Sequence, residues 1–126
     1  MKILLVSKDN NLISTFQNNN SQATNQLEVM PGNYDPLDVM SYVCNNNPYI
    51  LLIDDDALKP QTAHILNSIK KVNQNIQIIF ITSDTGIEIG RQISQIGVQF
   101  YAIKPIGKRD LSDSIHSIIH LQKKNN

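Results

Sequence analysis

One cysteine in 126 residues excludes an internal disulfide, so the chain must be held by its core, and a reducing compartment is the expected home. Net charge is missing too. The 11 basic side chains balance the 11 acidic ones, leaving no overall field to draw the chain toward nucleic acid or an anionic membrane. Long apolar runs are lacking. Behind Met1-Lys2 only Ile3 to Val6 is continuously apolar, shorter than the roughly 7–15 residues of a signal-peptide core and far from the roughly 20 of a membrane span. Glycine is scarce, at 5 residues. None forms a GxGxxG, or a GxxxxGK followed by Ser or Thr, behind the first apolar run, so a dinucleotide site and a P-loop lose their phosphate cradle. Asp9-Asn10-Asn11 likewise lacks the Ser, Thr and Gly of a flavin-phosphate loop.

What is present is 40% hydrophobic residues and 17% charged ones. With glycine added, the apolar share comes to about 44%, just under the ordinary globular range. Composition and length together lead us to expect one cytoplasmic domain spanning 1–126, large enough to bury a core. Four short runs are apolar almost throughout: Ile3 to Val6, Tyr49 to Ile53, Ile76 to Ile81 and Phe100 to Ile103. A weaker fifth, Leu27 to Met30, closes at Pro31-Gly32. Short runs without polar alternation suit strands covered on both faces.

Between the runs, apolar residues recur at helical offsets of three and four. They are Leu12, Ile13 and Phe16; Leu37, Met40, Val43 and Cys44; Ile65, Leu66 and Ile69; Ile89, Ile93 and Ile96; and Leu111, Ile115, Ile118 and Ile119, with Gln122 on the same face as the last set. Cys44 is expected to be a small buried hydrophobe. Asp35-Pro36 reads as a helix start and Gly97 as a helix stop, while Lys123 and Lys124 suit the end of the last helix. The Asn18 to Asn20 and Asn45 to Asn47 triplets fall at helix ends, where Asn favours caps and turns. His116 and His120 stand four apart with no third ligand evident, and they read with His64 as surface residues.

The resulting βαβαβαβαβα order predicts an α/β fold: a five-stranded parallel sheet with helices on both faces. Its commonest strand order is 2-1-3-4-5, which places a ligand mouth beyond the carboxyl ends of strands one and three. Ser7-Lys8-Asp9, Asp54-Asp55-Asp56, Thr82-Ser83-Asp84 and Lys104-Pro105 all fall there. Carboxylates, a hydroxyl and lysines in one mouth suit phosphate or a hard cation.

These residues resemble, over essentially the whole chain, the receiver domain of bacterial two-component response regulators, the flavodoxin-like topology whose known examples include the chemotaxis receiver. The segment Pro48-Tyr49-Ile50-Leu51-Leu52-Ile53-Asp54 is similar to the strand ending in the phospho-accepting aspartate. Ile76 to Thr82 with Ser83 resembles the strand of the switch hydroxyl. Gly97 to Pro105 resembles the stretch with the switch aromatic, a lysine and a cis-proline.

The resemblance implies a signalling domain rather than an enzyme. Asp54 would be the phosphoacceptor, Lys104 its partner, Thr82 the donor to a phosphoryl oxygen and Tyr101 the coupled aromatic. It implies Mg2+ as cofactor, a sensor histidine kinase or another signalling protein as partner, and no nucleic-acid or membrane role for the domain. Homodimerisation through the last two helices is implied as well, with Ile87, Ile89 and Tyr101 in an apolar patch.

The family's acidic pair after strand one is replaced by Ser7-Lys8, and proline four residues beyond the acceptor by Leu58, with Pro60 later. Asp54, Lys104 and Lys8 sum to +1 before any metal arrives. Poor Mg2+ affinity is therefore expected, with Asp9 and Asp56 as weak additional ligands beside Asp54. Lys8 is expected to serve as a built-in cation paired with Asp54. Two readings follow: an atypical or pseudo-receiver acting by protein–protein contact, or a working response regulator phosphorylated on Asp54.

Overall fold

The computed structural model describes residues 1–18 and 26–124, with side chains of the last helix through 121; its five parallel strands and six helices alternate except between the third and fourth strands, where two helices follow in succession. In chain order they are β1 (Lys2–Val6), α1 (Asn10–Gln17), β2 (Gln26–Val29), α2 (Pro36–Asn46), β3 (Ile50–Asp54), α3 (Asp55–Leu58), α4 (Thr62–Val72), β4 (Gln77–Thr82), α5 (Ile87–Ile96), β5 (Phe100–Ile103) and α6 (Lys108–Lys124). The sheet order is β2-β1-β3-β4-β5, as expected from the alternation. Asn19, Asn20 and the side chains of Gln122, Lys123 and Lys124 lie outside the described residues.

The three central strands are buried on both faces, which explains their unbroken apolar runs. Leu4, Val6, Leu51, Ile53, Ile78 and Phe80 face α2, α4 and α5, where Val39, Val43, Ile65, Leu66, Ile69 and Ile93 complete one core layer. Ile3, Leu5, Ile50, Leu52, Ile79 and Ile81 face α1 and α6, against Leu12, Phe16, Leu111, Ile115, Ile118 and Ile119. The edge strand β2 is pinned from two sides: Lys2 pairs with Glu28 at 3.5 Å, and the Tyr42 hydroxyl donates to the same carboxylate.

Two sequence expectations need correction. In α2 the core side is Val39 and Val43, while Leu37 is 67% exposed and Cys44 is also exposed. The helix starts at Pro36 and turns its i, i+4 valine pair onto the sheet, rotating the stripe away from Leu37 and Cys44. Asp35 does occupy the N-cap position, yet its side chain makes no cap hydrogen bond. Gly97, at φ +90°, ends α5 in a conformation open to glycine. His64 and His120 are exposed, as expected.

Candidate functional site

Strand register places the polar residues. Val6 pairs with Ile53, so the next residues, Ser7 and Asp54, emerge side by side beyond β1 and β3. The Ser7 hydroxyl donates to Asp54 Oδ2 at 2.7 Å. Asp54 pairs with Ile81, which sets Thr82 level with Asp55 rather than with Asp54. On the far side Thr82 pairs with Ile103, and the Lys104 N–H extends the ladder to the Thr82 carbonyl at 2.8 Å, bringing the Lys104 side chain to the mouth.

Lys104 is the centre of this mouth. Its Nζ lies 2.9 Å from Asp54, 3.0 Å from Asp9 and 3.1 Å from Asp56. Asp54 is buried, whereas Asp9 and Asp56 are partly open to solvent. Burial pushes the Lys104 ammonium down, but the bonds to Asp54, Asp9 and Asp56 outweigh it and hold its pKa above that of an ordinary lysine. The Lys104 hydrogen bond holds the Asp9 carboxyl below the usual range despite some desolvation. Burial pushes Asp56 up, and hydrogen bonds from Ser83, Lys104 and Lys59 more than reverse it.

Every oxygen of these three carboxylates already has a protein donor. Asp54 Oδ1 takes the Asp56 N–H at 3.1 Å, and Oδ2 takes Ser7 and Lys104. Asp9 Oδ1 caps α1 by accepting from the N–H groups of Asn11 and Leu12, leaving Oδ2 to Lys104. Asp56 Oδ1 accepts from Ser83 at 2.8 Å and Lys59 at 3.3 Å, with Oδ2 on Lys104.

Lys8 is the main departure from expectation. No ion pair among the described residues joins it to Asp54. Its Nζ sits 5.1 Å from the centroid of the Tyr34 ring instead, at an exposed position. The chain leaving β1 turns Ser7 toward β3 and Lys8 outward over Tyr34, whose hydroxyl reaches the Ser7 carbonyl at 3.0 Å. The charge count changes accordingly. Asp9, Asp54 and Asp56 against Lys104 give −2, not the +1 obtained by placing Lys8 in the mouth and leaving two aspartates out.

The oxygen donor set is the chemistry a hard divalent cation prefers. Its place between the carboxylates, however, is filled by the Lys104 ammonium, and among the described residues no group of three or more His, Cys, Asp or Glu is arranged to hold a metal ion. As arranged, the mouth does not fit Mg2+ unless Lys104 withdraws.

Thr82, Asp55, Thr62 and Ser83 complete the site. The buried Thr82 hydroxyl donates to Asp55 Oδ2 at 2.8 Å, and the buried Thr62 hydroxyl to Asp55 Oδ1 at 2.7 Å. Sequence reading placed Asp55 in the mouth without a role and did not single out Thr62. The signal for Asp55 was its position between two acidic neighbours at a strand end. Tyr101 is 39% exposed, and its ring packs on Phe80 with centroids 5.1 Å apart. Lys104-Pro105 is a cis peptide, and so is Lys59-Pro60 in the segment after Leu58.

This sheet order and mouth define the fold of response-regulator receiver domains, and solved structures agree. The chain is similar to a CheY-like response regulator receiver domain protein from Methanospirillum hungatei JF-1, with a TM-score of 0.83 and 18% identity, covering 99% of this chain and 98% of that one. It is also similar to the signal receiver domain of a modulated diguanylate cyclase from Desulfovibrio desulfuricans G20, with a TM-score of 0.77, 20% identity and coverage of 99% and 98%. The chemotaxis response regulator CheY4 of Vibrio cholerae superposes with a TM-score of 0.75 at 13% identity, covering 93% and 97%. No protein-family model and no curated protein matches the sequence. The chain therefore has the receiver fold, shared at sequence identities that speak for the fold alone. No helix among the described residues is long and apolar enough to cross a membrane.

Proposed function

We propose that this chain is a signal-transduction receiver of atypical, pseudo-receiver type, binding Mg2+ weakly and acting through contact with other signalling proteins. One observation carries the reading: the Lys104 ammonium bridges Asp9, Asp54 and Asp56, and no oxygen of the three is left unpartnered. A divalent cation has to displace that ammonium before it gains a carboxylate ligand, which offsets much of the attraction of a −2 mouth. The contact surface we assign is the β5 edge with the last two helices, where Ile87 is 79% exposed and Ile103 41% exposed beside Tyr101. A second signalling protein or a second copy of the chain would cover it.

A second reading has its own support. The buried Asp54 lies at the carboxyl end of a central strand, 2.9 Å from a lysine, a suitable place for a nucleophilic carboxylate. In that reading an Asp54 oxygen attacks phosphorus, a new O–P bond forms, and the donor's bond to phosphorus breaks, its electron pair leaving with the donor (histidine of a kinase, or acetate from acetyl phosphate). Lys104 would neutralise a phosphoryl oxygen in this state.

The two readings separate on intact mass after incubation with acetyl phosphate and Mg2+, beside an Asp54→Asn control. We expect no adduct in the wild type within the time that labels a working receiver. A phosphoryl adduct lost in the control makes Asp54 a working acceptor and sinks the pseudo-receiver reading. Ser7→Asp should raise Mg2+ affinity at least about tenfold by calorimetry, because it adds a carboxylate where the Ser7 hydroxyl now meets Asp54. An unchanged affinity would mean that the local charge balance does not limit metal binding.

A further inference from the structure

Asp55 is only 2% exposed, and neither proposed reading gives it work. Both of its oxygens are taken by buried hydroxyls from separate elements: Oδ1 by Thr62 at the start of α4, and Oδ2 by Thr82 at the end of β4. Among the described residues no lysine, arginine or histidine forms an ion pair with it within 4 Å. Such a buried acidic group, held by neutral donors, is costly to keep unless those donors stay in place.

The one hydroxyl proton of Thr82 is committed. Its oxygen accepts the Asp84 N–H at 3.0 Å, and its single hydroxyl proton goes to Asp55. A threonine has one proton to donate. Thr82 therefore cannot serve an oxygen at Asp54 while it holds Asp55. The register produces this state, because Asp54 pairs with Ile81 and brings Thr82 level with Asp55.

We propose that Asp55 is a positioning residue, an internal latch that fixes the Thr82 hydroxyl and ties β4, α3 and α4 together whatever occupies the Asp54 mouth. This rests on the reading of Asp54, Lys104 and Thr82 as the signalling site, and it deepens that reading. The Asp55 carboxylate takes the hydroxyl that an anionic group on Asp54 would otherwise recruit. An anionic group on Asp54 gains the Thr82 hydroxyl only by breaking the Asp55–Thr82 bond.

The direct test is the Thr82 side-chain rotamer, read from three-bond NMR couplings of its methyl carbon to the backbone nitrogen and carbonyl carbon. We expect one rotamer in the wild type and an average over at least two in Asp55→Ala. Thr62→Val, which removes the other donor and leaves the acceptor, should keep the single rotamer. Should Asp55→Ala fail to fold, Asp55→Leu replaces it: it matches the carboxylate in shape but offers neither acceptor nor donor, so averaging is again expected. A Thr82 rotamer already averaged in the wild type, or unchanged when the carboxylate is gone, overturns the latch. Acetyl phosphate labelling of Asp54 is scored separately on the same proteins. If the latch restrains the site, Asp55→Ala labels at least about fivefold faster than wild type. A released rotamer with no label on either protein upholds the latch and sinks the acceptor reading alone.

Discussion

Lys104 carries more of the site than any other residue, since three carboxylates converge on one ammonium. Removing it leaves Asp54 buried with the Ser7 hydroxyl and the Asp56 N–H but without its ammonium, and Asp9 and Asp56 add their charge from the rim. Breaking a buried pair costs about 3–5 kcal/mol. Solvent reaches both rim aspartates, so Lys104→Ala should destabilise by a smaller amount, on the order of 2–3 kcal/mol, in urea unfolding. Asp54→Asn in the same background should recover about half of that loss, because it removes the charge left most deeply buried. Equal losses with Asp54 and with Asn at that position would show the pair to be uncoupled. Asp54, Lys104, Thr82 and Ser7 were legible as residues of one mouth because each ends or follows a strand on the same sheet edge. Their partners were not. Which neighbour a side chain meets depends on register, and a shift of one residue separates Thr82 facing Asp54 from Thr82 facing Asp55. Lys8 was misplaced for a related reason: charge counting cannot say which way a side chain leaves the strand.

At the scale of elements, α1 joins the mouth to the core. Its eight residues are too few for a stable isolated helix, so it depends on Leu12 and Phe16 beneath it and on the Asp9 cap at its start. Asp9 does two jobs, capping with Oδ1 and pairing Lys104 with Oδ2. Asn keeps an acceptor for the cap and drops the charge, while Ala drops both. Asp9→Ala should therefore be less stable than Asp9→Asn by about 1 kcal/mol, the typical worth of an N-cap side chain. If thermal unfolding shows the two variants equal, the cap contributes nothing and Asp9 matters only through Lys104. The five strands were legible from their apolar runs, with ends off by a residue or so, most clearly the three central ones, which are covered on both faces. The α6 stripe held for Leu111, Ile115, Ile118 and Ile119, all buried. Helix α2 was less legible, since Leu37 and Cys44 share the right spacing with Val43 yet only the Val39–Val43 side meets the sheet. The short α3 has too few residues to show any period.

Across the whole molecule, a neutral sequence hides an uneven placement of charge, with carboxylates gathered at the carboxyl edge of the sheet around one lysine. That placement predicts the acid limb of stability. The pKa values of Asp9 and Asp56 lie below the ordinary aspartate value in the folded protein, so the unfolded chain binds protons first as pH falls. Their contribution is complete above the unfolded aspartate pKa of about 3.9 and is lost progressively below it, as pH passes down through the folded values. Asp38 acts in the opposite sense, raised by its hydrogen bond with Asp35, but at an exposed position where solvent screens the effect. The urea midpoint should therefore stay nearly level from pH 7 to about 5 and fall steeply below about 4. Lys104 donates to both aspartates, so Lys104→Met should lower the whole curve and flatten this limb. The ammonium that depresses both pKa values would then be gone. An acid limb equally steep in Lys104→Met would assign acid unfolding to carboxylates elsewhere and remove Lys104 as the charge that organises the edge.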